Sequence, residues 1–164
     1  MIERTLVLIK PDGVERAVVG EIVSRFEKVG LKIVGLKMIK IDTEKAGKHY
    51  DKDDIITRRG ENVYNYLLDY VTSGPVVAIV LEGIQAIEQV RKMAGPTQPK
   101  EAAPGTIRGD YCHVSYAYCD DKGIAVRNVL HASADEKDAQ REIDVWFNQE
   151  ELVEYQVVHE KHTR

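Results

Sequence analysis

The sequence predicts an α+β fold: a split βαβ antiparallel sheet with helices packed on it. Three observations carry this reading. Short β-rich apolar runs occur at residues 6–9 and 76–81, amphipathic helical stripes lie between and after them, and the elements follow the order strand, helix, strand, strand, helix, strand. With 164 residues, 43% of them hydrophobic, the chain suits a single domain over 1–164 that buries its core without disulfide or metal staples.

The first run, Leu6-Val7-Leu8-Ile9, is closed by Lys10-Pro11-Asp12-Gly13 and reads as a buried strand entering a turn. Val19, Ile22, Val23, Phe26 and Val29 then line one face of a helix that Gly30 stops. Residues 31–41 are β-branched and aliphatic with interleaved lysines, a second strand. A short helix over 43–50 takes Thr43 as its cap, and the polar stretch 51–61, closed by Gly60, reads as a loop. Tyr64, Leu67, Leu68 and Val71 form another helical stripe, and residues 76–81 form the clearest strand in the chain. Ile84, Ile87 and Arg91 share one side of a helix that ends near Gly95. Pro96, Pro99, Pro104 and Gly105 make a long irregular loop, a feature that is often functional.

Beyond that loop, residues 111–119 and 124–130 flank Asp120-Asp121-Lys122-Gly123, which predicts an extra β-hairpin. Ser133 or Asp135 caps a last helix that buries Ala139, Ile143, Trp146 and Phe147. Together these elements give the ferredoxin-like form of the fold, with its helices on one side of the sheet.

The formal net charge of -4 provides no basic field for nucleic acid or an anionic membrane, so any polyanion must bind in a local pocket. An RNA-binding sheet is disfavoured further, because residues 76–81 contain no aromatic side chain to stack on bases. Two cysteines, Cys112 and Cys119, are too few for a disulfide scaffold and read as reduced thiols. The apolar run near the start is too short for a signal peptide or a membrane span, so a cytoplasmic protein is expected.

No G-x-x-x-x-G-K-[ST] loop and no G-x-G-x-x-G fingerprint occurs, and the histidines and cysteines lack structural zinc spacing. Bound phosphates would therefore rest on cationic side chains. Lys10 ends the first strand, Arg91 lies near a helix end with Thr97 just beyond, and Arg108 sits in Gly105-Thr106-Ile107-Arg108-Gly109-Asp110. Taken alone, each is more often a surface ion-pair partner. His131 follows Asn128-Val129-Leu130. A lone histidine is more often structural, but its neutral imidazole is a good nucleophile toward phosphorus, with an ordinary pKa of about 6.5. A carboxylate on the far ring nitrogen would fix the tautomer, and Glu142, one helix later, is a candidate that spacing alone does not establish.

Taken together, these motifs resemble the nucleoside diphosphate kinase family over nearly the whole chain. The matching strings include Ile9-Lys10-Pro11-Asp12-Gly13, His49-Tyr50, Ser73-Gly74-Pro75, Val90-Arg91-Lys92-Met93 with Gly95 and Thr97, and Pro104-Gly105-Thr106-Ile107-Arg108-Gly109-Asp110. Asn128-Val129-Leu130-His131-Ala132-Ser133, Glu142-Ile143 and Trp146-Phe147 complete them in the family's order.

The resemblance implies transfer of a terminal phosphate from a nucleoside triphosphate to His131, then to a different nucleoside diphosphate. It implies that Lys10, Arg91, Thr97, Arg108 and Asn128 contact the nucleotide. Tyr50 and Ser133 stand beside the histidine, and Glu142 orients its ring. Magnesium travels on the nucleotide phosphates, the base is held loosely, and copies of the chain assemble as a homohexamer or a tetramer. A catalytically idle relative is the main rival, and the joint presence of His131, Lys10, Arg91, Arg108 and Asn128 argues against it.

Three departures stand out. Ala134 occupies the place of the family's aspartate, with Asp135 one step later. The base-stacking phenylalanine is missing, with Val63 or Tyr64 in its region. The stretch between Arg108 and His131 is longer, an insertion over 114–126 placed to reshape the nucleotide cleft or a subunit contact.

Overall fold

A computed structural model describes residues 1–163; Arg164, the last residue of the expected domain, lies outside the described residues. Strand β1 (Ile2–Ile9) runs into a short helix α1 (Pro11–Glu15) and then α2 (Val19–Lys28). Strand β2 (Lys32–Ile39) leads to α3 (Thr43–His49), α4 (Lys52–Arg59) and α5 (Glu61–Thr72). Strand β3 (Val76–Ile84) and α6 (Ala86–Ala94) follow, then α7 (Ile107–Tyr111) and α8 (Tyr116–Lys122). Strand β4 (Leu130–Ala132), α9 (Glu136–Trp146) and α10 (Glu160–Thr163) end the order.

The four strands form one antiparallel sheet in the order β2-β3-β1-β4, the split βαβ arrangement. β1 and β3 occupy the centre and are apolar on both faces, since Leu6, Val7, Leu8 and Ile9 are all fully buried. A strand buried on two faces needs cover on both. Val7, Ile9, Ile79 and Leu81 pack with Ile22 and Phe26 of α2 and with Val90 of α6. On the opposite face, Leu6, Leu8, Ala78 and Val80 pack with Ala46 of α3, Val71 of α5, and Ile143 and Trp146 of α9. Helices therefore cover both faces, whereas the sequence reading placed them on one.

Three local expectations are corrected. Residues 51–61 are not a loop: the Asp51 carboxylate caps α4 by accepting the Asp54 N–H at 3.0 Å, and Gly60 breaks the chain at φ 90°. Asp42, not Thr43, caps α3, accepting from Lys45 N–H at 2.8 Å. The expected hairpin is absent. Ser115 caps α8, and Gly123, at φ 61°, ends that helix instead of turning a hairpin. Arg59 of α4 locks α8 in place, its guanidinium 3.9 Å from the Tyr116 ring centre and 3.0 Å from Asp120 Oδ1. The insertion is thus a helix clasped to α4. Asp135, one of the two caps considered for α9, fills that position through the Asp138 N–H at 2.9 Å. Among the described residues, no helix is long and apolar enough to cross a membrane.

Candidate active site

The site forms where β4 meets β1. In that ladder Leu8 lies opposite His131, so the two side chains share one face of the sheet, the face covered by α3 and α9. Glu142 projects from α9, 3% exposed, and takes the histidine: His131 Nε2 lies 2.9 and 3.0 Å from its two carboxylate oxygens. Ser133, two residues beyond the histidine, donates its hydroxyl to Glu142 Oε2 at 2.6 Å. With Nε2 donating to the carboxylate, the free lone pair of the imidazole belongs to Nδ1.

The approach to β4 is a tight γ-turn. The Leu130 N–H donates to the Asn128 carbonyl at 2.7 Å around Val129, whose φ is +56°. For a β-branched residue such a backbone costs about 1–3 kcal/mol and persists only where its neighbours enforce it. The turn aims the Asn128 side chain at Lys10, whose Nζ donates to Oδ1 at 2.8 Å, while Asn128 Nδ2 donates to the Thr97 carbonyl at 2.8 Å. Arg108 of α7 reaches the same place, donating to the Leu130 carbonyl at 2.9 Å and the Gly95 carbonyl at 2.5 Å. Arg91 of α6 stands at the margin, 3.5 Å from the Ser133 carbonyl.

Among the described residues four buried donors face no protein acceptor: Thr5 Oγ1, His49 Nε2, the Tyr50 hydroxyl and Arg108 Nε. Buried polar atoms are nearly always partnered, and three of these four belong to residues gathered around His131 and Arg108, which suits a place built to receive a polar group.

The charges are tuned for a neutral nucleophile among cations. Burial lowers the His131 pKa well below its ordinary value, and Lys10 and Arg108 push the same way. Burial, with Arg108 beside it, pulls Lys10 down to about 8, and Asp12 resists the shift. Glu142 is raised by burial, opposed by His49, the Ser133 hydroxyl and Arg141. Burial also raises the Tyr50 phenol, which stays protonated and able to donate.

Sequence reasoning gave His49 no role, although it noted His49-Tyr50 as a motif. His49 is 1% exposed, and its ring meets His131 edge-on at 4.4 Å between centres. Its Nδ1 accepts the Trp146 indole N–H at 3.2 Å. His49, His131 and Glu142 offer donor atoms within 4.8 Å of one another, a set that could hold a metal ion. His49 Nδ1 is engaged by Trp146, the Glu142 carboxylate by Ser133 and His131 Nε2, and Arg141 lies 3.6 Å from Glu142. Their arrangement suits an oriented imidazole better than a cation.

Of the expected site residues, Lys10, Tyr50, Arg108, Asn128, His131, Ser133 and Glu142 come together around one site. Arg91 borders it, and Thr97 joins through its carbonyl. Tyr64 is 7% exposed within the core and is not open to a base, while Val63 is half-buried. Asp135 is committed to capping α9, so it does not replace the carboxylate missing at Ala134.

A split βαβ sheet carrying a neutral, carboxylate-held histidine beside buried cations defines the class: a phosphotransferase that works through phosphohistidine. The comparisons specify it. The profile for "Nucleoside diphosphate kinase" matches residues 3–152. The nucleoside diphosphate kinase of Borreliella burgdorferi is 49% identical over 155 residues, covering 94% of this chain and 93% of that protein. That of Pyrococcus furiosus is 54% identical over 154 residues, covering 94% and 88%. A solved transition-state mimic of the Borrelia burgdorferi enzyme, with bound vanadate and ADP, superposes with a TM-score of 0.96 at 48% identity, covering 99% of this chain and 96% of that one. The chain belongs to the nucleoside diphosphate kinase family.

Proposed function

We propose that His131 Nδ1 takes the terminal phosphate of a nucleoside triphosphate and returns it to a second nucleoside diphosphate. The carrying observation is the His131 Nε2 to Glu142 contact at 2.9 Å, which leaves Nδ1 as the only free ring lone pair. Lys10 and Arg108 hold the phosphates, and Arg91, Thr97 and Asn128 complete the nucleotide contacts. Nδ1 attacks the γ-phosphorus, the bond from that phosphorus to the β–γ bridging oxygen breaks, and the nucleoside diphosphate leaves. Phosphorylation makes the ring cationic, and the Glu142 carboxylate, held by Ser133, stabilises that charge. The unpartnered Tyr50 hydroxyl and Arg108 Nε can donate to transferring oxygens. A second diphosphate then reverses these steps, a ping-pong cycle.

The substrate is the magnesium complex of the nucleotide. The cleft meets the phosphates with cations, so the metal rides on phosphate oxygens. Loose base recognition, a cytoplasmic setting and a homohexameric or tetrameric assembly complete the proposal. Support for these finer points comes from family membership.

Incubation with ATP labelled in its γ-phosphate tests the reading. The protein should acquire a base-stable, acid-labile label that GDP removes. Folded protein that takes up no label would instead be an idle relative.

A further inference from the structure

We propose that Asp12 is a positioning residue, whose carboxylate pins the γ-turn at Val129 and thereby sets Asn128 and His131 against the phosphate-holding cations. This rests on the phosphohistidine reading above and extends it to a residue that has no part in the transfer itself.

Asp12 lies in the first turn of α1, just past Lys10, and is 7% exposed. A carboxylate this deep is costly unless its oxygens are engaged. One accepts the hydroxyl of Tyr70 from α5, and the other accepts the Val129 N–H at 3.2 Å. Val129 is gripped from its other side too, since its carbonyl accepts the Lys10 N–H at 2.8 Å. The two contacts hold both peptide groups that flank the strained residue. Gly13 gives them room, because a Cβ there would lie 2.8 Å from Ile9 and 3.2 Å from the Val129 carbonyl.

Everything the turn delivers belongs to the site. Asn128 immediately before it meets Lys10 at 2.8 Å, and the Leu130 carbonyl immediately after it meets Arg108 at 2.9 Å. His131 is the next residue. If Val129 relaxed to negative φ, the chain entering β4 would rotate and shift all three groups together. Misplacement of about 1 Å at a reacting centre costs up to about a hundredfold in rate.

The test measures the single-turnover rate of phosphohistidine formation at saturating magnesium ATP, with thermal melting as the check on folding. The proteins are the full-length wild type, D12A, D12N, V129G and D12A/V129G. D12A should slow formation by about tenfold to a hundredfold. D12N should keep most of the rate, because its amide oxygen still accepts the Val129 N–H while its amide nitrogen donates to Tyr70. Glycine adopts positive φ without strain, so D12A/V129G should recover most of what D12A loses. A folded D12A at the wild-type rate would overturn the proposal, as would D12A/V129G no faster than D12A. So would a folded D12N slowed as much as expected for D12A, a result that stands even if D12A does not fold. Wild-type protein that forms no phosphohistidine removes the functional reading, and this inference with it. A labelled wild type with an unaffected D12A removes the inference alone.

Discussion

His131 and Glu142 form a bifurcated contact, with Nε2 within 3.0 Å of both carboxylate oxygens, although they stand eleven positions apart in the chain. The contact fixes the tautomer and offers a counter-charge to the ring that forms on phosphorylation. Glu142→Gln keeps an acceptor but loses the charge. It should slow phosphohistidine formation by about a hundredfold while nucleotide affinity changes little. Ser133→Ala, which removes one hydrogen bond to the same carboxylate, should cost about tenfold. Rapid-quench kinetics on both variants check the order of the two effects.

The pH dependence follows from the directions of the two shifts. His131 is held below its ordinary pKa, so it stays neutral and nucleophilic as pH falls through 6.5. The acid limb of kcat/KM should therefore lie below the ordinary histidine range. Lys10, pulled down to about 8, loses its charge as pH rises through that value, and kcat/KM should fall there. An acid limb at the ordinary histidine value, or a profile flat well past pH 8, would contradict these assignments.

Tyr50 separates stability from activity. Its hydroxyl is buried without a partner among the described residues, so Tyr50→Phe should leave thermal stability unchanged or raise it by about 1 kcal/mol. Phosphohistidine formation should slow in the same variant, because a donor to the phosphate is lost. Calorimetry and single-turnover kinetics on one preparation read both.

Arg108 braces the Gly95 and Leu130 carbonyls and keeps a buried Nε without a partner among the described residues. Arg108→Lys keeps the charge but not the planar fork. It should lose at least about tenfold in kcat/KM, close to the loss in Arg108→Ala. Near-wild-type kinetics in the lysine variant would mean that charge alone suffices.

The strand order and the cleft's residues were legible because their signals are strong and local: unbroken apolar runs at β1 and β3, and short strings around Lys10, Arg108 and His131. What escaped depended on partners distant in sequence. Helix α4 buries almost nothing, so no hydrophobic stripe announced it; its cap at Asp51 and the Asp54–Arg58 pair hold it. Gly123 is equally apt to turn a hairpin or stop a helix, and the stacking of Arg59 on Tyr116 from another element decides for the helix. His49 carried no signal of its own beyond the His49-Tyr50 string, and only the fold sets its ring 4.4 Å from that of His131. The strain at Val129 leaves no mark in composition at all.

The most direct measurement locates the phosphate. Wild-type protein treated with γ-labelled ATP, quenched in base and digested, should carry the label on the peptide containing His131, and H131A should carry none while still binding ADP. Label on another residue, or undiminished label in H131A, would contradict the central assignment.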